Sequence, residues 1–211
     1  NHWENLELAA QQVGMEIDEK KKEQLKEYLH LLQSWNKVMN LTAIDDEPGI
    51  IYKHFLDCIY YLSYARIKPG QKIVDLGTGA GFPGIPLKIL YPQTEVYLVD
   101  SLQKRLKFLQ EVIEKLQLKE ISLIHGRAED LGKDPHYREK FDVVLSRAVA
   151  SLPVLTEYCL PFVKVGGHLA AAKGPQIQEE LAQAQKAISV LGGKLEEVYE
   201  FQLPYIQEGR S

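Results

Sequence analysis

The chain has 211 residues, 45% of them hydrophobic and 26% charged, which fits one soluble globular domain with a sizeable core and a helical extension. No apolar run approaches the roughly 18 uninterrupted residues of a membrane span, and the N-terminus, which starts at Asn1, lacks a secretory pattern. With 25 basic and 29 acidic side chains the net charge is −4, so a basic surface over the whole molecule is excluded and nucleic acid would need a local basic patch. Cys58 and Cys159 are far apart and form no C-x-x-C pair, as expected of buried thiols in a cytoplasmic protein.

Residues 1 to about 65 read as helical. Leu25, Tyr28, Leu29, Leu32, Trp35 and Met39 recur at three- and four-residue steps and make one apolar face, with Asp18 as N-cap. The segment Trp35 to Thr42 breaks this helix, because Asn and Thr favour caps and turns, and a second helix covers Ile50 to Ala65. Lys68-Pro69-Gly70 marks the boundary with the next unit, dividing the chain into a helical extension, 1–66, and a core domain, 67–211. Beyond it, strands are expected at Lys72–Leu76, Glu95–Val99, Ile121–His125, Phe141–Ser146, Gly167–Ala172 and Leu195–Leu203. Helices are expected at Pro83–Tyr91, at Leu102–Leu116 with Ser101 as cap, near Leu152–Val163 and at Ile177–Leu191. Strands alternating with helices predict an α/β fold: a doubly wound, mostly parallel, Rossmann-like sheet whose ligand crevice lies at the carboxyl ends of its strands.

The run Asp75-Leu76-Gly77-Thr78-Gly79-Ala80-Gly81 falls on that edge. Glycines at alternate positions let the backbone turn sharply and approach a ligand closely, so Gly77, Gly79 and Gly81 are candidate cofactor-binding residues. Asp100, at the end of the second strand, is placed to accept hydrogen bonds from ribose hydroxyls. Gly79 to Gly84 also fits G-x-G-x-x-G, so a dinucleotide competes with S-adenosylmethionine for the same pattern. Asp75 tips the balance, since a carboxylate ahead of the glycines suits a ligand with its own cationic centre and repels a pyrophosphate. Phe82 is a stacking candidate for the cofactor or a base.

After the third strand, Ala128 with Glu129 or Asp130 is suited to an adenine ring and its edge. Arg147, after the fourth, could pair with Asp75, a cofactor carboxylate or an RNA phosphate. For RNA the candidates are Lys53, His54, Lys104, Arg105, Lys107, Arg147 and Lys173. The six histidines show neither H-E-x-x-H nor Cys/His spacing, so no metal site is expected, and no G-x-S-x-G points to a hydrolytic triad.

Several segments together are more specific than the glycine turn. They are Trp35 to Thr42 (W-N-x-x-x-N-L-T), Lys53-His54-Phe55-Leu56-Asp57, Asp75 to Pro86, Val99 to Arg105 (with D-S-L-x-K-R), Arg127-Ala128-Glu129 and Ser146-Arg147-Ala148. Over nearly its whole length the chain resembles class I S-adenosylmethionine-dependent methyltransferases, specifically the bacterial 16S ribosomal RNA guanine-N7 methyltransferases, also called glucose-inhibited division protein B. The resemblance implies a methyl donor held by Gly77, Phe82, Ala128, Glu129 and Arg147, with Asp100 near the ribose. It also implies a guanine of the 530 loop of 16S ribosomal RNA, naked or in the small ribosomal subunit, as acceptor. Arg147 is then a positioning group, with no general base needed, in a cytoplasmic monomer. The family usually carries a final strand and a basic tail, where this chain stops at Ser211, so the sheet is expected to lack its last strand. A nicotinamide-dependent oxidoreductase and a ribosome-associated binding module without transfer activity are the rival readings.

Overall fold

The computed structural model describes residues 1–147 and 150–211. Ala148, the last residue of the Ser146-Arg147-Ala148 run, lies outside the described residues. The chain opens with helices α1 (His2–Gln12) and α2 (Glu19–Met39). Asp18 caps α2 as expected, accepting the Lys21 N–H at 2.8 Å. The helix runs through the Trp35 to Met39 segment and stops at Asn40, which adopts the left-handed conformation (φ 49°) that Asn tolerates. A second helical stretch follows as α3 (Glu47–Gly49), a wider π-helical segment (Ile50–Leu56) and α4 (Asp57–Tyr64).

From there strands and helices alternate: β1 (Lys72–Leu76), α5 (Gly84–Leu90), β2 (Glu95–Asp100), α6 (Gln103–Leu116), β3 (Ile121–His125), α7 (Ala128–Leu131), β4 (Phe141–Ser146), α8 (Leu152–Cys159), a 3-10 turn (Leu160–Phe162), β5 (Val163–Ala171) and α9 (Gln178–Val190). The five strands are parallel in the order β3-β2-β1-β4-β5. The chain leaves β1 in one direction towards β2 and β3 and resumes on its other side with β4, which is the topological switch that opens a crevice at the carboxyl ends.

Side-chain alternation along the strands sorts the core into two layers. Ile73, Val96, Leu98, Val143 and Leu145 face a layer that contains Leu6, Leu25, Tyr28, Leu32, Phe55 and Phe108, so the N-terminal helices and the sheet share one apolar core. Val74, Val99 and Val144 face the other layer, with Leu155, Cys159, Phe162 and Ala184 from α8, the 3-10 turn and α9. Cys58 and Cys159 are both buried free thiols. Among the described residues, no helix is long and apolar enough to cross a membrane.

Two expectations are corrected. The helix after β2 starts at Gln103 with Leu102 at the N-cap position and no side-chain capping bond; Asp100 Oδ1 accepts the Leu102 N–H at 2.9 Å in the turn before it, Leu102 itself is exposed, and Ser101 has no capping role. A carboxylate held at the strand end is a better acceptor for that amide than a hydroxyl in the intervening turn. The strand expected at Leu195–Leu203 does not join the sheet. Only β6 (Phe201–Gln202) forms, paired antiparallel with β7 (Gly209–Arg210) in a separate hairpin. The aromatic residues of this segment stack on α4 instead, Tyr199 and Phe201 lying 4.6 and 4.9 Å from the Tyr64 ring, and Arg66 pairs with Glu196 at 2.7 Å. Local apolar alternation predicted neither pairing nor general burial here: Leu195, Val198 and Tyr199 are exposed, and only Leu203 at the end of the segment is fully buried. A groove of about 610 Å³ therefore follows β5, lined by Tyr64, Leu169, Ile188, Tyr199 and Phe201; it contains no residue of the glycine turn.

Candidate methyl-donor site

The turn after β1 is held from both sides. Asp75, fully buried in the middle of the sheet between Leu98 and Leu145, accepts the Thr78 hydroxyl at 2.7 Å and the Gly84 N–H at 2.9 Å on Oδ2. Its Oδ1 is buried without a hydrogen-bond partner among the described residues. Burial pushes the Asp75 carboxyl up to about 7, against the two hydrogen bonds and the Arg147 charge, which favour ionisation. Asp100 braces the other side, accepting the Gly79 N–H on Oδ2 at 2.8 Å, with the Arg105 guanidinium 3.4 Å from Oδ1. The same carboxylate thus holds both the turn that leads into α6 and the glycine turn.

The glycines divide by what a side chain would meet. Gly77 and Gly79 have φ of +72° and +59°, and a Cβ on either would meet nothing within 4 Å. At Gly81 (φ +100°) a Cβ would sit 2.7 Å from Ile85, 2.8 Å from the Tyr28 hydroxyl and 2.9 Å from Leu109, and at Gly84 only 2.1 Å from Leu98. The first pair keeps the approach to the turn open; the second lets the turn pack on the core. Tyr28 comes from α2 and donates its hydroxyl to the Ala80 carbonyl at 2.5 Å, within the turn itself. Its ring lies 5.7 Å from Phe55, 5.4 Å from Phe82 and 6.4 Å from Phe108.

Phe82 is the centre of a second group. His54 stacks on it at 4.3 Å with an interplanar angle of 11°, and the Arg147 guanidinium lies 5.8 Å from the ring. Thr42 Oγ1 holds His54 Nε2 at 2.9 Å, while Asn36 Oδ1 accepts the Thr42 N–H at 2.8 Å. The W-N-x-x-x-N-L-T segment therefore serves to set His54 against Phe82. Arg147 turns away from direct pairing with Asp75 and meets Asp57 Oδ2 at 3.0 Å, a partner that the sequence reading did not name.

The remaining candidates scatter. Ala128 is half-buried and Glu129 exposed on α7, beyond β3 on the same edge as the turn. Lys104 and Lys107 are exposed on α6, and Arg105 is tied to Asp100. Lys53 is half-exposed, 4.0 Å from Glu208. His54 and Lys173 are corrected as basic surface groups for RNA. Burial, reinforced by the Arg147 charge, lowers the His54 ring to about 4, so it is a neutral packing group at neutral pH. Lys173 donates to the Ala150 carbonyl at 2.6 Å and pairs with Glu180 at 3.1 Å.

A parallel 3-2-1-4-5 sheet with an open glycine turn after its first strand and a carboxylate after its second is the architecture of class I S-adenosylmethionine-dependent methyltransferases. In keeping with it, the fold is similar to Aeropyrum pernix fibrillarin in complex with natively bound S-adenosyl-L-methionine (TM-score 0.56, 17% identity, 74% of each chain). The profile of the GidB family, rRNA small subunit methyltransferase G, matches residues 21–207, and the chain belongs to that family. The ribosomal RNA small subunit methyltransferase G of Clostridium novyi is 48% identical over 201 residues, covering 95% of this chain and 83% of the relative. The protein of the same name from Acetivibrio thermocellus is 53% identical over 192 residues, covering 91% and 78%.

Proposed function

We propose that the chain transfers the methyl group of S-adenosylmethionine to N7 of a guanine in the 530 loop of 16S ribosomal RNA. The observation that carries this reading is the glycine turn, open at Gly77 and Gly79 and set between Asp75 and Asp100. The residues fit the donor. An unpartnered buried carboxylate oxygen on Asp75 suits a cationic amino-acid end, exposed Glu129 suits the nucleoside, Asp100, buried with both oxygens engaged, shapes the turn beside it, and Phe82 supplies an apolar wall. When bound, the donor supplies an electrophilic methyl group on a sulfonium.

The chain's own residues then have little proton transfer to perform, because guanine N7 offers an in-plane lone pair without losing a proton. Gly77, Gly79 and Phe82 fix one reactant, Arg147 orients charge at the β4 edge, and the buried wall of Tyr28, His54 and Phe82 excludes water, so orientation carries the rate. Neutral His54 neither competes for the methyl as a freely exposed base nor repels a cationic donor. Exposed Lys104 and Lys107, next to the turn through Asp100 and Arg105, are the phosphate-binding groups that fit an otherwise acidic protein. N7 lies on the deep edge of an A-form helix, which explains a loop guanine as target. The partner is the small ribosomal subunit or its RNA, met by a cytoplasmic monomer.

The test is transfer of labelled methyl from S-adenosylmethionine to unmethylated small subunits and to their stripped RNA, mapped by strand cleavage at N7-methylguanine. Label at a single 530-loop guanine is expected. Label elsewhere, or none despite donor binding, removes the assigned acceptor.

A further inference from the structure

Asp57 is a buried carboxylate with two cationic partners and no place in the reading above. It opens α4, directly after the π-helical segment that carries His54, and its residue is only 7% exposed. Oδ2 takes the Arg147 guanidinium at 3.0 Å and Oδ1 takes Arg210 Nε at 3.2 Å. Arg210 continues to Glu208 at 2.8 Å, and Glu208 to Lys53 at 4.0 Å. The result is an alternating chain of three cations and two carboxylates, Arg147–Asp57–Arg210–Glu208–Lys53, running from the carboxyl end of β4 to the surface.

At the inner end, Arg147 lies over Phe82 and within hydrogen-bonding reach of Cys58 Sγ at 3.6 Å. Burial drives that thiol up to about 12, so it stays uncharged and Asp57 is the anion that holds the guanidinium. A second carboxylate is near. Asp75, whose Oδ1 lacks a partner, attracts Arg147 electrostatically. A guanidinium released from Asp57 would collapse onto Asp75 and block both groups. One carboxylate shared by two arginines engages a single edge of Arg147 and leaves the chain with one net positive charge, the sign a carboxylate ligand requires.

We propose that Asp57 is a positioning residue for donor binding: it keeps the Arg147 guanidinium above Phe82 and away from Asp75, aimed at the carboxylate of the donor's amino-acid end. The proposal rests on the donor reading, and it assigns the work to a residue that does not touch the donor. Arg210 anchors Asp57 through its other oxygen, so the β6–β7 hairpin takes part in setting the site.

The experiment compares two ligands by calorimetric titration of the whole chain: S-adenosylhomocysteine, which has the amino-acid end, and 5′-methylthioadenosine, which lacks it. In D57N the affinity for S-adenosylhomocysteine should fall roughly tenfold while that for methylthioadenosine is unchanged, and D57E should recover most of the loss. A general loosening of the fold would weaken both ligands together, and competition between Asp57 and the donor for Arg147 would tighten S-adenosylhomocysteine; either result, or no change, overturns the proposal. Should D57N fail to fold, R210K and R210A carry the same comparison from the other oxygen, a selective loss being expected in R210A and not in R210K. If the unsubstituted chain binds methylthioadenosine and S-adenosylhomocysteine equally, the amino-acid end is unread and the proposal fails with the donor reading intact. If it binds neither, the donor reading itself fails.

Discussion

Gly79→Ala and Gly81→Ala separate the two jobs of the donor turn. Both residues have positive φ, which costs an alanine about 1–2 kcal/mol in the left-handed region. At Gly79 nothing lies within 4 Å of the added methyl, so stability should fall by that amount and no more. At Gly81 the methyl is driven to within 2.7–2.9 Å of Ile85, the Tyr28 hydroxyl and Leu109, all in the core. Overpacking of this kind adds about 1–3 kcal/mol, for a total of about 2–5 kcal/mol. Donor binding should rank in the opposite order. The Gly79 methyl projects where the ligand must approach, and affinity for S-adenosylhomocysteine should drop at least about tenfold, whereas folded Gly81→Ala should keep more of it. Urea unfolding and calorimetric titration of the two variants measure both orders. Equal destabilisation, or donor affinity unchanged in Gly79→Ala, would refute the division of the turn into an open half and a packed half.

Asp75 makes stability depend on pH. Its folded value is raised to about 7, above the ordinary carboxyl range, so the folded protein holds a proton that the unfolded chain has already released. Its contribution is whole below about pH 4 and is lost as the pH rises through 7, with a slope of up to about 1.4 kcal/mol per unit in that window. D75N, which keeps the acceptor for Thr78 and Gly84, should flatten unfolding free energy against pH between 4 and 7; an unchanged slope counts against the assignment. K104E and K107E should weaken RNA binding without altering donor affinity, each lowering the salt slope by about one where a phosphate contact is lost. An unchanged slope in filter binding from low to physiological salt would move the RNA surface elsewhere.

What the sequence disclosed follows the range of the interactions involved. The apolar face of α2, the Asp18 cap, the strand alternation and the glycine turn are all local patterns, and each appears in the structure where its periodicity places it. The partners that complete the site are distant along the chain. Tyr28 reaches Ala80 across 52 positions, and Arg147 and Arg210 meet on Asp57 from different ends of the molecule. Nothing in a window of ten or fifteen residues encodes such a meeting. His54 shows the same limit from the other side: next to Lys53 it reads as part of a basic pair, and only the stacked Phe82 ring and the Thr42 hydroxyl reveal a neutral group. The Leu195–Leu203 segment has a strand's composition, but its aromatic rings stack on Tyr64 of α4 and it forms no ladder with the free edge of β5.

The Tyr28 hydroxyl has one more consequence. An appendage that only gathers RNA could be exchanged between relatives like a removable handle. Here α2 reaches through the aromatic layer and grips a backbone carbonyl of the loop proposed to hold the donor. Grafting foreign helices onto this sheet would therefore give an enzyme that fails before it ever meets RNA, unless the graft brings a phenol to the same spot. The Tyr28 hydroxyl and the ring packing around it thus couple the position of α2 to the geometry of the glycine turn.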